Sequence, residues 1–323
     1  MTRRSEIWGR VGTLTAVAAL AVATMGLSSA SAQDDQISII AVTHGQASDS
    51  FWSIVKNGIT KAGEDQGVTV DYRAPETFDM IAMSQLIDGA VNQQPDGIVI
   101  SNPDPDALGP SIQRAVAAGI PVISMNSGID AAAGLGIALH VGQEELSAGK
   151  TVGARLGELG ATHVLCVNQE VGNVALDQRC QGVTDGLPGA KVTILPVTVD
   201  PAETEAKIRA ALSSDETIDA VIGLSAPLVG EPAVAAVKAM GAQDRVMVAS
   251  YDLSAGFLQS VVDGDAVFAV DQQPYLQGYL PVTFLAQQAR YGVMPAGNVP
   301  SGPSFVTQET APQVIELSAQ GLR

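Results

Sequence analysis

From Ile37 to Tyr291, short apolar runs of strand length alternate with longer stretches of helical periodicity. That alternation leaves the chain few architectures. Ile37 to Thr43, Val68 to Tyr72, Gly97 to Ile100, Pro121 to Met125, Gly136 to Val141 and Thr162 to Val167 read as strands, as do Lys191 to Val197, Ala220 to Leu224, Arg245 to Ser250 and Ala266 to Val270. Helical spacing fills the intervals, as over Phe51 to Gln66, where Phe51, Ile54, Val55, Ile59 and Ala62 share a face and Gly67 ends the pattern. The other helices are expected over Met80 to Val91, Ala107 to Ala118, Glu144 to Leu159, Asn173 to Leu187, Glu203 to Leu212, Leu228 to Met240, Ser254 to Val262 and Tyr275 to Tyr291. Strictly alternating elements imply parallel sheets with right-handed crossovers and helices on both faces. Some dozen strands are too many for one comfortable sheet, so two α/β lobes are expected.

The first 32 residues read as an export signal rather than as fold. Arg3, Arg4 and Arg10 supply a positive start, Val11 to Leu27 an apolar stretch, and Ala30-Ser31-Ala32 a small-residue cleavage site. That site disfavours an uncleaved anchor, Arg3-Arg4 alone is weak support for a twin-arginine signal, and no Cys stands near the cut to carry a lipid. The expected product is an exported protein cleaved after Ala32. The formal charge of −17 becomes −19 once three Arg and one Glu leave with the signal, which makes nucleic acid a poor partner. With 46% apolar and 16% charged residues, the chain has ample material for cores and is no disordered acidic segment. Its two cysteines, Cys166 and Cys180, lie in one strand-plus-helix unit of an exported chain, where either a disulfide or two buried thiols would fit.

In a parallel sheet, function hangs from the carboxyl ends of the strands. After the first strand come Asp49-Ser-Phe51-Trp52, and two successive helical residues point about 100° apart, so both aromatics cannot face the sheet. Trp52 is thus a candidate wall of a cleft. Asn173 and Asp177 open a later helix, on one face by their i, i+4 spacing, and Tyr251-Asp252 ends another strand. Asp271-Gln272-Gln273 ends the last strand, just before Pro274 starts a long helix. These ends offer carboxylates, amides and aromatics but no nucleophile paired with a base. Carboxylates accept hydrogen bonds from hydroxyls, amides donate and accept, and a ring lies against the C–H face of a sugar, so the inventory suits a neutral polyhydroxy ligand.

Other chemistries fail on spacing. Asn102-x-Asp104-x-Asp106 imitates a calcium loop but lacks the following Gly and has Gln113 at the twelfth position. Two Cys and three scattered His make no zinc site of ordinary spacing, and no dinucleotide, phosphate-loop or nucleophile-elbow pattern is complete, so no cofactor is expected.

These residues resemble the periplasmic sugar-binding proteins of ABC importers, the ribose-type type I solute-binding family. The likeness is carried by Asp49-Ser-Phe51-Trp52 with Gly58, Asp96-Gly-Ile-Val-Ile-Ser-Asn-Pro103, Gly119-Ile-Pro-Val-Ile123, Gly142-Gln-Glu with Gly149, Arg179-x-x-Gly182, Tyr251-Asp252 and Asp271-Gln-Gln-Pro274. It implies two Rossmann-like three-layer lobes joined by a three-stranded hinge, with crossings near Val141-Gly142, Gln272-Gln273 and Pro303-Ser304. The lobes would then be 33–141 plus 273–303 and 142–272 plus 304–323. Ligand contacts would come from Asp49, Phe51 and Trp52, from Asn126 and Ser127, from Asn173 and Asp177, and from Ser225, Asp252 and Gln272. The implied partners are a small neutral sugar or polyol and an ABC transporter permease, with the binding protein a periplasmic monomer.

Three positions depart from the ribose-type pattern. Asn126-Ser127 stands for the usual Asp-Arg pair, Asp177 for the usual helix-start Arg, and Ser225-Ala226 for the usual Asn-Asp. Losing both arginines removes bidentate donors and points away from ribose, glucose and galactose. An acyclic polyol, a deoxy or branched sugar, or an amino-substituted ligand drawn by the extra carboxylate all stay open. The alternative function on this fold is a sensory receptor feeding chemotaxis or a sensor kinase, and an exported enzyme is disfavoured by the missing catalytic groups.

Overall fold

The computed structural model describes residues 36–45 and 49–323. The expected export signal lies outside them. The chain runs β1 (Ser38–Val42), α1 (Ser50–Gln66), β2 (Thr69–Arg73), α2 (Met80–Val91), β3 (Gly97–Ile100), α3 (Pro105–Ala117), β4 (Val122–Asn126), α4 (Ile129–Ala132) and β5 (Leu139–Gly142). It continues through α5 (Glu145–Glu158), β6 (His163–Asn168), α6 (Val174–Gly186), β7 (Lys191–Pro196), α7 (Pro201–Ser214), β8 (Ala220–Gly223), α8 (Glu231–Ala239), β9 (Met247–Tyr251), α9 (Ala255–Asp263) and β10 (Phe268–Asp271). Last come α10 (Pro274–Tyr291), β11 (Val299–Pro300), β12 (Ser304–Val306) and α11 (Ala311–Ala319).

The strands form two six-stranded sheets, ordered β11-β5-β4-β3-β1-β2 and β12-β10-β9-β8-β6-β7. Every pairing is parallel except β10 with β12. Burial on both faces explains why the strands read as unbroken apolar runs. In β1, Ile39 and Ala41 enter one apolar layer while Ile40 and Val42 enter the opposite one. In β6, Val164 and Cys166 face one layer and Leu165 and Val167 the other. Each sheet is thereby sandwiched between helices, an α/β fold of two three-layer units. Cys166 and Cys180 are joined in a disulfide that ties α6 to the middle of β6.

The chain changes sheets three times, between β5 and α5, between β10 and α10, and between β11 and β12. Two of these passages lead into unusually close helix pairs. A Cβ on Gly58 of α1 would lie 2.1 Å from the Tyr275 carbonyl oxygen of α10, and one on Gly278 equally close to that of Val55. Likewise a Cβ on Gly149 of α5 would meet the Arg179 carbonyl at 2.3 Å, and one on Gly182 of α6 the Leu146 carbonyl at 2.3 Å. Only glycine permits either approach.

Some expectations are revised. The helix anticipated from Leu228 begins instead with a π-helical turn, Ala226–Gly230, and becomes α-helical at Glu231. Pro232, which has no N–H to donate, sits in the first turn of α8, where none is needed. Asp104, in the calcium-like stretch, caps α3 by accepting from the N–H groups of Asp106 and Ala107. Among the described residues no helix is long and apolar enough to cross a membrane.

Candidate binding site between the two sheets

The carboxyl ends of β1, β4, β6, β8, β9 and β10 surround one cavity, whose unfilled space, counting its mouth, is about 350 Å³. Its walls draw on both sheets. From the first come His44, Asp49, Phe51, Trp52 and Asn126; from the second Gln169, Glu170, Asn173, Ala175, Leu176, Arg179, Leu224, Ser225, Asp252 and Gln272.

Asp49 is the N-cap of α1, one carboxylate oxygen accepting the Phe51 N–H at 2.9 Å. The first turn then puts both aromatics on the wall, Phe51 6% and Trp52 5% exposed, with ring centroids 5.2 Å apart and planes at 80°. His44 packs edge-on to Trp52 at 4.6 Å and is pinned from behind by Ser101 Oγ, which accepts its backbone N–H at 2.9 Å and lies 2.7 Å from Nδ1. Its Nε2 faces Glu170 Oε2 at 3.8 Å. Burial, then the Arg179 charge, holds the His44 imidazole down near 3, so it is neutral at neutral pH. This Ser–His–Glu sequence inverts a hydrolytic triad, because the hydroxyl lies fully buried behind the ring and the carboxylate lies on the cavity side.

On the second sheet, Asn173 caps α6 through Oδ1 and donates from Nδ2 to Glu170 Oε2 at 2.8 Å. Nearly two turns on, Arg179 reaches inward. Its Nε and Nη2 donate to the two oxygens of Glu145 at 2.6 and 3.0 Å, and its guanidinium sits 4.6 Å from the Tyr251 ring centroid. Burial opposes the Arg179 charge, but Glu145 outweighs it and keeps the group protonated. Gln272 is the junction. Its Nε2 donates to Asp252 Oδ1 at 2.5 Å, and its Oε1 accepts from Arg179 Nη2 at 3.3 Å and Asn126 Nδ2 at 3.4 Å, linking the two sheets. Gln273 Nε2 and Gln277 Nε2 donate to the Ser301 carbonyl and hydroxyl at 2.7 and 3.0 Å, which ties two of the sheet-to-sheet passages together.

Among the described residues only Gln94, Asn126, Asp252 and Gln273 are non-glycines with positive φ, and three of these four stand at this site or beside it. Such backbone costs roughly 1–3 kcal/mol per residue and persists where the surroundings impose it, commonly at ligand sites. The carboxyls are also perturbed. Burial raises Asp49 to about 6, against the Phe51 N–H and with help from Glu170. Burial raises Asp252 to about 7, resisted by Arg179 and Gln272. Glu170 moves upward too, again from burial first. Ser225 Oγ and Gln169 Oε1 are buried with no partner in the protein, an arrangement that a ligand hydroxyl or amine would satisfy.

Two of the residues expected at the site stand off its wall. Asp177 is exposed and accepts from Asn168 Nδ2 at 3.1 Å, because Asn173 is a cap with extended backbone, so helical i, i+4 spacing does not relate the two. Ser127 is turned away, since Asn126 at φ 63° bends the chain until the Ser127 N–H bonds the Met125 carbonyl at 2.7 Å. The wall gains His44, Gln169, Glu170 and Arg179. An arginine is therefore present after all, and the additional carboxylate is Glu170 rather than Asp177.

Residues 40–292 match the family model described as a periplasmic binding protein domain. The chain belongs to that family. A solved carbohydrate transporter from Acidothermus cellulolyticus, in complex with myo-inositol, is 37% identical and superposes with a TM-score of 0.84 over 89% of this chain and 100% of its own. The xylose/arabinose-binding protein of Sulfolobus acidocaldarius is 27% identical over 259 residues, 72% of this chain but 61% of that protein's length. The fructose import binding protein of Bifidobacterium longum is 24% identical over 272 residues, 80% of this chain and 82% of its own. The Sulfolobus and Bifidobacterium proteins are binding proteins by name, and the two-sheet α/β architecture of this chain is the type I periplasmic binding protein fold.

Proposed function

We propose that this chain is an extracytoplasmic solute-binding protein that captures a small polyhydroxy compound, a sugar or a cyclic polyol, and delivers it unchanged to the permease of an ABC importer. The observation that carries this reading is the cavity, a polar space built from the strand ends of both sheets and walled on one side by Phe51 and Trp52. Each ionised carboxylate accepts from two hydroxyls, so Asp49, Glu170 and Asp252 offer acceptors for a ring with a hydroxyl on every carbon. One ring of the aromatic pair can supply a flat surface for its C–H face, the other standing nearly perpendicular beside it. Likeness to the inositol-bound Acidothermus protein over nearly the whole chain supports the same class of ligand.

In this reading 33–141 plus 273–303 and 142–272 plus 304–323 move as two lobes, with Asp49, Phe51, Trp52 and Asn126 contacting ligand from one and Asn173, Ser225, Asp252 and Gln272 from the other. Native mass spectrometry of the purified chain tests it first. A thermal-shift screen of myo-inositol, xylose, arabinose and fructose follows, where a ligand at 100 times its Kd stabilises by about 2.7 kcal/mol. No shift with any sugar or polyol, or release of a chemically altered product, would overturn the proposal.

A further inference from the structure

Three carboxylates reach the cavity wall from three separate elements: Asp49 at the start of α1, Glu170 after β6 and Asp252 after β9. One positive group opposes their charge, Arg179, which draws Glu170 and Asp252 back toward the ionised form. Arg179 is the one guanidinium on the wall, and its Nε and Nη2 are already committed to Glu145, itself 1% exposed. His44 is neutral, the remaining polar groups on the wall are amides and a hydroxyl, and residues 46–48 just ahead of Asp49 are Gln, Ala and Ser. All three line one cavity, and they repel one another across it, Glu170 acting on Asp49, Asp252 on Glu170 and Asp49 on Asp252.

A neutral polyol gives these groups hydrogen bonds but leaves the excess negative charge buried, which is costly in a desolvated space. A bare metal ion does not match the spacing, for among the described residues no group of three His, Cys, Asp or Glu could hold one. A ring that carries an ammonium group can set that group beside one carboxylate while its hydroxyls meet the others. The same ring must present hydrogen-bonding groups to Ser225 Oγ and Gln169 Oε1, in side chains 2% and 8% exposed and unpartnered within the protein.

We infer that the cavity favours a polyol bearing a primary ammonium group, an aminocyclitol or an amino sugar, over the all-hydroxyl compound with the same ring. The inference rests on the polyol-binding reading and narrows it.

Calorimetry on the full chain at about pH 7.5 tests it with matched sets: scyllo-inosamine against scyllo-inositol, and glucosamine and galactosamine against glucose and galactose, each amine also in its N-acetylated form. In at least one set the amine should bind roughly tenfold or more tightly than its hydroxyl parent, a difference of about 1.4 kcal/mol, and N-acetylation should abolish the gain. Glu170→Gln, or Asp49→Asn should the first fail to fold, should narrow the amine-to-hydroxyl ratio severalfold. If the hydroxyl compound binds as well as the amine in every set, or if removing a carboxylate leaves the ratio unchanged, the inference falls while polyol binding stands. If no member of any set binds, the inference falls, and the polyol-binding reading falls with it only if the thermal-shift screen of sugars and polyols is also blank.

Discussion

Asp252→Asn should weaken ligand binding while making the ligand-free protein more stable. Asparagine isolates the charge, because it tolerates the left-handed backbone at φ 67° and its amide oxygen can still accept the Gln272 Nε2–H that now lies 2.5 Å away. Burial, resisted by Arg179 and Gln272, lifts the carboxyl from its ordinary 3.8 to about 7. The folded protein therefore holds this proton more tightly than the unfolded chain. The group costs no stability below about pH 4, costs progressively more between about pH 4 and 7, and its full cost applies above that. Taken whole, the shift corresponds to about 4 kcal/mol. Arg179 loses a counter-charge in the variant and takes part of this back, so a gain of about 1–3 kcal/mol at pH 8, vanishing by pH 4, is expected. Binding moves the other way. Hydrogen bonds to a charged group contribute about 1.5–3 kcal/mol and neutral ones about 0.5–1.5, so two ligand bonds lose about 1–3 kcal/mol, roughly five- to hundredfold in Kd. Scanning calorimetry from pH 4 to 8 reads the first effect and titration calorimetry the second. A variant that binds as tightly as the parent, or that is less stable at pH 8, would refute this account of Asp252.

Titrating thiols in the unfolded, unreduced protein should find none, and two per chain would refute the Cys166–Cys180 bridge; replacing both by Ala should cost about 2–4 kcal/mol. Gly58→Ala, which drives a methyl against the Tyr275 carbonyl, should destabilise by about 1–3 kcal/mol in urea unfolding. Gly297→Ala, whose new carbon meets nothing within 4 Å, should stay within about 0.5 kcal/mol, and equal effects at the two sites would contradict the described packing. Small-angle scattering should show a smaller radius of gyration at saturating ligand, with Gln272→Ala needing more ligand to reach it; unchanged scattering with binding confirmed by calorimetry would exclude lobe closure.

Alternating apolar runs are legible because a strand buried on both faces has no polar side to interrupt it, as Ile39 to Val42 illustrate. The strand-end rule likewise leads from sequence to Asp49, Trp52, Asp252 and Gln272, since it depends on local order alone. Arg179, within α6, escapes it, and Glu170, two residues past β6, is reached by it without being marked out from a solvated loop residue. A buried guanidinium is intelligible only beside Glu145, which is distant in sequence, and a glutamate in a loop reads as solvated until its neighbours close over it. Asp177 and Ser127 mislead for backbone reasons, one through a cap outside helical geometry and the other through a positive φ on the preceding residue. The two-residue β11 and three-residue β12 are too short for any periodicity to announce, and they exist because neighbouring strands offer open edges.

The glycine-tight helix pairs constrain how this scaffold can be altered. α1 presents Phe51 and Trp52 and is locked to α10, which starts at Pro274 directly after Gln272 and Gln273; α6 presents Arg179 and is locked to α5, which starts soon after β5 ends. Backbone pressed on backbone has no side chain to rearrange and so no play. Any rotation where the chain changes sheets is handed on to the aromatic wall and to the guanidinium at full amplitude. A bulkier ligand cannot be accommodated by letting these helices drift apart without also disturbing that transmission. Redesign of specificity therefore has room only in the side chains at the strand ends, where Ser225 or Asn126 can be exchanged while the two helix pairs stay as they are.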